Sequence, residues 1–157
     1  QYIRKRDILY DYKAASSAAL GLIFAVLATV TGAIWAKFEW GAFWNWDPRQ
    51  TSIFVLILVY GAYFALRSAV ESEEQRAKLS SVYSILAGIT VPFFIFIFPR
   101  IVDSLHPDPI VNSTGKVKMD TNMLIVFLSS LAGFTGLYAW MLNLRIRIAK
   151  LNLKESS

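Results

Sequence analysis

Cysteine is absent from the 157 residues. Disulfides, thiolate metal centres and covalent C-x-x-C-H cofactor attachment are therefore excluded on this chain. Histidine occurs once, so a metal site with two histidine ligands cannot come from this chain alone. Charge is scarce as well: 17% of residues are charged while 55% are hydrophobic. A soluble domain carries more charge than that. The charges that exist fall in blocks, and the apolar runs between them hold no Asp, Glu, Lys or Arg. A proton relay or ion path would need an ionisable group there, so a pump or channel is disfavoured. An initiator methionine is also missing. The chain opens on Gln1 and a basic segment, not the short apolar stretch of a signal peptide, and we expect it to be a piece of something longer.

What is there reads as an all-α, polytopic transmembrane bundle, a single membrane domain over 1–157 with four spans at about 14–36, 50–66, 79–98 and 121–143. The first reaches about 34 Å at helical rise, enough for the hydrocarbon core. Ala14, Ala18, Gly21, Ala25, Ala28 and Gly32 recur at alternating spacings of four and three. They share one face, a seam of small side chains that lets another helix approach closely. Trp35 closes that span at an interface. Ser129, Ala132, Gly133 and Gly136 offer similar packing positions in the fourth span. Pro92 should kink the third, and Phe93, Phe94, Phe96 and Phe98 after it read first as packing. Residues 67–78 suit a solvated loop or helical hairpin.

The densest feature is the connection 37–49. Trp40, Trp44 and Trp46 fall within seven residues, with Phe43 among them, and Asp47-Pro48-Arg49 follows. Indole prefers the headgroup level, where the ring is dry and the N–H is wet. Such a cluster makes a flat apolar platform suited to a large planar or amphipathic ligand. Trp40, Phe43, Trp44 and Asp47 are spaced i, i+3, i+4, i+7, so a helix here would put them on one face and lie in the membrane plane. Asp47-Pro48 also reads as an N-cap and N1 proline opening the second span. Arg49 then stands at the wrong end of the helix dipole. It either waits for an anion or snorkels at the interface. The second external connection, 99–120, is irregular, with Pro99, Pro107, Pro109 and Gly115, and carries His106. A lone loop histidine is ordinarily just a polar loop residue.

With four spans, both ends and 67–78 share one side. That side holds eleven of the 16 basic residues. The positive-inside rule makes it cytoplasmic. The same bias accounts for the net charge of +5, so the partner of the basic residues is the lipid bilayer and not nucleic acid. The tryptophan platform and His106 then meet on the outer face. A porphyrin fits that convergence: flat, apolar across its faces, anionic at its propionates and in want of an axial nitrogen. Aromatic rings would cover its face, Arg49 or Arg100 would meet a propionate, and His106 would ligate iron. Met119 and Met123 rank below His106 as ligands.

The stretch WGAFWNWDPRQTS closely resembles the tryptophan-rich signature of the CcmC/CcsA family of haem-handling cytochrome c assembly proteins, the CcmC type (haem exporter protein C) above all. That signature reads approximately W-G-x-W-W-x-W-D-x-R-x-T-S, and Trp40, Gly41, Trp44, Trp46, Asp47, Arg49, Thr51 and Ser52 match it. Phe43 stands where tryptophan is usual, which keeps an aromatic face and loses an N–H donor. The resemblance covers essentially the whole chain. It implies a fold of six or so helices in the bacterial inner membrane, with haem held between the tryptophan loop and two external histidines. His106, in S-L-H-P, sits where the second should be; the first would lie upstream of Gln1. It further implies that haem b is transient cargo, passed to a periplasmic haem chaperone of the CcmE type. An ABC transporter of the CcmAB type and a small membrane subunit would assist, and the chain itself would not be an enzyme. Two other readings stand beside this one: part of a haem–cytochrome c ligase of the CcsA/CcmF sort, or a structural membrane subunit whose tryptophans only anchor it.

Overall fold

A computed structural model of the chain describes residues 1–107 and 115–155. Among these the secondary structure is entirely helical: α1 (Tyr2–Lys5), α2 (Ile8–Trp40), α3 (Pro48–Ala69), α4 (Glu73–Pro92), a π-helical turn over Phe93–Ile97, α5 (Phe98–Ile101) and α6 (Thr121–Glu155). Four helical stretches are long and apolar enough to cross a membrane: α2, α3, the run Glu73–Ile101 and α6. Each contains one of the four expected spans.

The helices overrun those spans because nothing in the flanking residues stops them. Asp7 caps α2 by accepting from the Leu9 N–H at 2.9 Å. Only Gly41 ends it, at φ 78°, where its N–H returns to the Lys37 carbonyl. That left-handed turn explains a glycine immediately after Trp40. The segment 67–78 is a tight helical hairpin, with α3 ending at Ala69 and α4 starting at Glu73. Pro92 lacks an N–H and crowds the preceding turn; the regular α ladder gives way right after it to the π turn. Phe94 packs on Phe98 there, with centroids 5.7 Å apart, whereas Phe96 is exposed.

α2 is the central helix. It packs on α3 and α6, and α3 packs in turn on α4 and the π turn. The small-residue seam of α2 is where α3 comes in: a Cβ at Gly21 would stand 2.4 Å from the Tyr60 hydroxyl oxygen. α6 meets α2 through aromatics instead. Phe134 and Tyr138 pack on Phe24, and the Tyr138 and Ser17 hydroxyls are hydrogen-bonded. The expected packing positions Ser129, Ala132, Gly133 and Gly136 are all exposed, and nothing lies within 4 Å of a Cβ built at either glycine. The reason is geometric: α6 touches no other long helix among the described residues, and its contact with α2 runs along Phe134 and Tyr138.

Near the ends of the helices on the side of the chain's termini, Arg67 donates to both carboxylate oxygens of Asp11, at 2.6 and 2.9 Å. Both side chains are largely buried. Each lies just beyond the spans read from hydropathy, which therefore hold no charge, but within the helices themselves.

A candidate haem site at the tryptophan loop

The tryptophan connection is not an in-plane helix. Trp40 ends α2, residues 41–47 are irregular, and Asp47 caps α3. The helical one-face reading of Trp40, Phe43, Trp44 and Asp47 is thereby corrected. Gly41 ends the α2 ladder, and the cap at Asp47 starts a new one.

Asp47 does more than cap. Its Oδ1 accepts from the Arg49 backbone N–H at 2.9 Å and faces His106 Nδ1 at 2.8 Å. Its Oδ2 accepts from the Ser104 hydroxyl at 2.8 Å and the Leu105 N–H at 2.7 Å. One carboxylate thus ties the start of α3 to the histidine loop, 57 to 59 residues away. The side chain is fully buried. Burial pushes its pKa upward, but the hydrogen bonds from Arg49, Ser104 and Leu105 and the nearby His106 outweigh it and hold the carboxyl below its usual range. An ionised carboxylate can only accept, so His106 Nδ1 carries the proton. In the neutral ring the bare lone pair is then on Nε2.

Aromatic rings fix the imidazole. It stacks on Trp35 (5.8 Å between centroids, 28° between planes) and meets Trp40 edge-on at 4.6 Å, and the two indoles pack on each other. Arg49 donates to the Pro107 carbonyl at 3.1 Å, closing the same loop from the other side. A small cavity of about 180 Å³ opens beside the ring, lined by Ala28, Gly32 and Ala33 of α2 and by Trp44, Arg49, Gln50 and His106 among others. The end of the small-residue seam nearest Trp35 thus makes room beside the imidazole rather than for a helix.

Trp44 and Trp46 form a second cluster, each 6.4 Å from Phe54. Trp46 is 69% exposed and has φ 54°, an uncommon value for a bulky residue. Thr51 holds it there by donating to its carbonyl at 3.2 Å. Gln50, nearly buried, accepts from the Asn45 N–H at 2.8 Å and braces the loop from beneath. The structure therefore brings Trp40, Trp44, Asp47, Arg49 and His106 together. Phe43 stands apart, exposed, with the Lys37 ammonium over its ring. Arg100 donates to the Phe96 carbonyl one turn back in its own helical run, away from the Asp47 node.

Sequence reasoning missed Trp35, Gln50 and Ser104 as parts of the site. Trp35 is five residues before Trp40, in the last turns of the same apolar helix; an interface anchor and a wall for the imidazole look identical in sequence. Gln50 and Ser104 carry no signal of their own.

The profile of the CcmC family, heme exporter protein C, matches residues 3–157. The chain belongs to the CcmC family. Heme exporter protein C of Bradyrhizobium diazoefficiens is 33% identical over 97% of this chain and 60% of its own length. That of Haemophilus influenzae is 31% identical over 83% of the chain and 53% of its own length. The chain thus spans a little over half the length of these CcmC relatives. The cytochrome c biogenesis protein CcsA of Coffea arabica is 36% identical, but over only 37% of the chain and 18% of that protein.

Proposed function

We propose that this CcmC-family chain binds haem b as cargo at the outer face of the bacterial cytoplasmic membrane and presents it for cytochrome c maturation. The supporting observation is the buried Asp47–His106 pair. A carboxylate that receives Nδ1–H from a histidine and leaves Nε2 bare is the usual support behind an imidazole metal ligand, fixing its tautomer and ring orientation. Interface anchoring alone gives no reason to bury it.

His106 is the proposed axial ligand, oriented by Asp47, Trp35 and Trp40. Trp44 and Trp46 offer apolar faces to the macrocycle; Phe43, with the Lys37 ammonium over its ring, stands apart from them. Arg49 is the proposed propionate partner because it lines the cavity beside His106, with Arg100, which does not line it, second. The cavity beside His106 is too small to enclose a porphyrin, so the cargo would lie across its mouth, against exposed Trp46. An open seat of that kind suits hand-over to a haem chaperone of the CcmE type, with CcmAB-type transporter subunits and a small membrane subunit as assisting partners. A second axial ligand would come from outside this chain. The protein is then an assembly factor and not an enzyme. The ligase alternative is weaker, since CcsA similarity is confined to a little over a third of the chain.

The test is haem spectroscopy on the full-length protein. His106→Ala should shift the Soret band and be partly rescued by added imidazole. Replacing Trp44 and Trp46 together with Leu should weaken haem retention. Wild-type spectra and retention in both variants would refute the reading.

A further inference from the structure

Two cavities run from the middle of the bundle to the end away from His106, and the haem reading uses neither. One, of about 390 Å³, sits between α2, α3 and α4, with Val59, Ala87, Val91 and Pro92 on its walls. The other, of about 580 Å³, lies nearer the helix ends and takes in Arg4, Lys13, Ser80 and Ser81. Ala14, Tyr63 and Ser84 line both, so the two share a wall. The result is an amphipathic cleft, with hydroxyls and cations at the end by the chain's termini and aliphatic side chains toward the membrane interior.

The polar end is electrically unbalanced. Asp11 is the single acid on its wall, and Arg67 already takes both of its oxygens. No carboxylate among the described residues pairs with Arg4 or Lys13; the Lys13 ammonium lies over the Tyr10 ring. The same end also holds an orphaned donor. Ser80 is 1% exposed and its hydroxyl has no hydrogen-bond partner. The buried Tyr63 hydroxyl beside it is turned toward Arg67 and Ser84. Orphaned hydroxyls are costly where no water competes for them. Two cations and an unsatisfied buried donor beside an apolar slot ask for a ligand with anionic acceptor oxygens and a hydrocarbon tail.

We propose that this cleft binds one anionic phospholipid from the leaflet on the side of the chain's termini. Its phosphate oxygens accept from Arg4, Lys13 and the Ser80 hydroxyl, and an acyl chain runs along Val59, Ala87 and Val91. A free phosphate would satisfy the donors but leave the apolar slot empty.

The test uses full-length protein, delipidated in mild detergent and reconstituted with phosphatidylcholine alone or with added phosphatidylglycerol. Native mass spectrometry should show one phosphatidylglycerol retained per chain, with a rise in Tm that phosphatidylcholine does not give. Combining Arg4→Gln with Lys13→Gln should weaken retention roughly 30-fold, the loss expected for two basic residues at a membrane surface. Ala87→Phe, which fills the apolar slot without touching charge, should weaken it independently. Haem spectra should be unchanged in all of these. Equal retention of the two lipids, wild-type retention in the variants, or an equal Tm rise with inorganic phosphate would overturn the proposal.

Discussion

At the scale of single residues, Asp47 carries the most. It caps a helix, docks a distant loop and sets the proton of the one imidazole. Asp47→Asn keeps one acceptor oxygen but places an amide against donors it cannot accept from. Leaving a buried N–H or hydroxyl unpaired costs about 1–3 kcal/mol. The expected outcome is a thermally destabilised protein whose haem spectrum is perturbed in the same direction as that of His106→Ala. Asp47→Ala should be worse, because it also removes the cap. Thermal unfolding and absorption spectra of the two variants check this. The pH dependence follows from the sign of the shift. The folded-state pKa of Asp47 lies below its unfolded value. Its contribution is therefore complete above the unfolded carboxyl pKa of about 4 and is lost as pH falls through the lower folded value. Tryptophan fluorescence of the site should accordingly show no transition from Asp47 between neutral pH and about 4. The residue's existence in a motif was legible in the sequence, and so was its capping role. Its bond to His106 was not, because nothing in local spacing joins positions 59 apart.

At the scale of helices, the small-residue stripes of α2 and α6 look alike in sequence and behave differently. Gly21 receives Tyr60 of α3, so Gly21→Ala must displace a ring and should destabilise by about 1–3 kcal/mol. Gly133→Ala meets open space and should be neutral or slightly stabilising through helix propensity. Thermal unfolding of both variants in the same detergent separates the two stripes, and equal effects would contradict the packing described. Periodicity shows that a face is small; which face another helix reaches depends on where the chain turns. The loop 41–47 teaches the same lesson. Helical spacing there was accidental, because Gly41 and the Asp47 cap interrupt the ladder on either side of the cluster.

At the scale of the whole molecule, the two ends of the bundle are fastened by different chemistry. Around Asp47, hydrogen bonds and stacked rings hold the tryptophan and histidine loops together. At the other end the buried Asp11–Arg67 pair locks α2 to α3. Arg67→Met would strand a buried carboxylate and should cost about 3–5 kcal/mol, whereas pairing it with Asp11→Leu should recover most of the loss; a double-mutant cycle of Tm values measures this. Topology is equally open to test, since these 157 residues hold no cysteine that would compete with an introduced one. Asn45→Cys and Asp103→Cys should both react with an impermeant thiol reagent from outside the cell. Glu71→Cys should react only after the membrane is opened. Labelling of one outer position without the other would break the shared-face reading on which the haem proposal stands.

The sequence by itself determined the fold class, the four membrane-crossing segments, the cap at Asp47 and the membership signalled by the tryptophan-rich stretch. Those properties follow from hydropathy, from short-range capping chemistry and from residue identities at fixed spacing, all local in the chain. The tertiary structure alone decided that Asp47 grips His106, that Trp35 joins the site while Phe43 and Arg100 stand aside, and that Asp11 and Arg67 pair. Each of these depends on how far apart two helices lie and how they are rotated, and those quantities are fixed by packing between segments that no local pattern records.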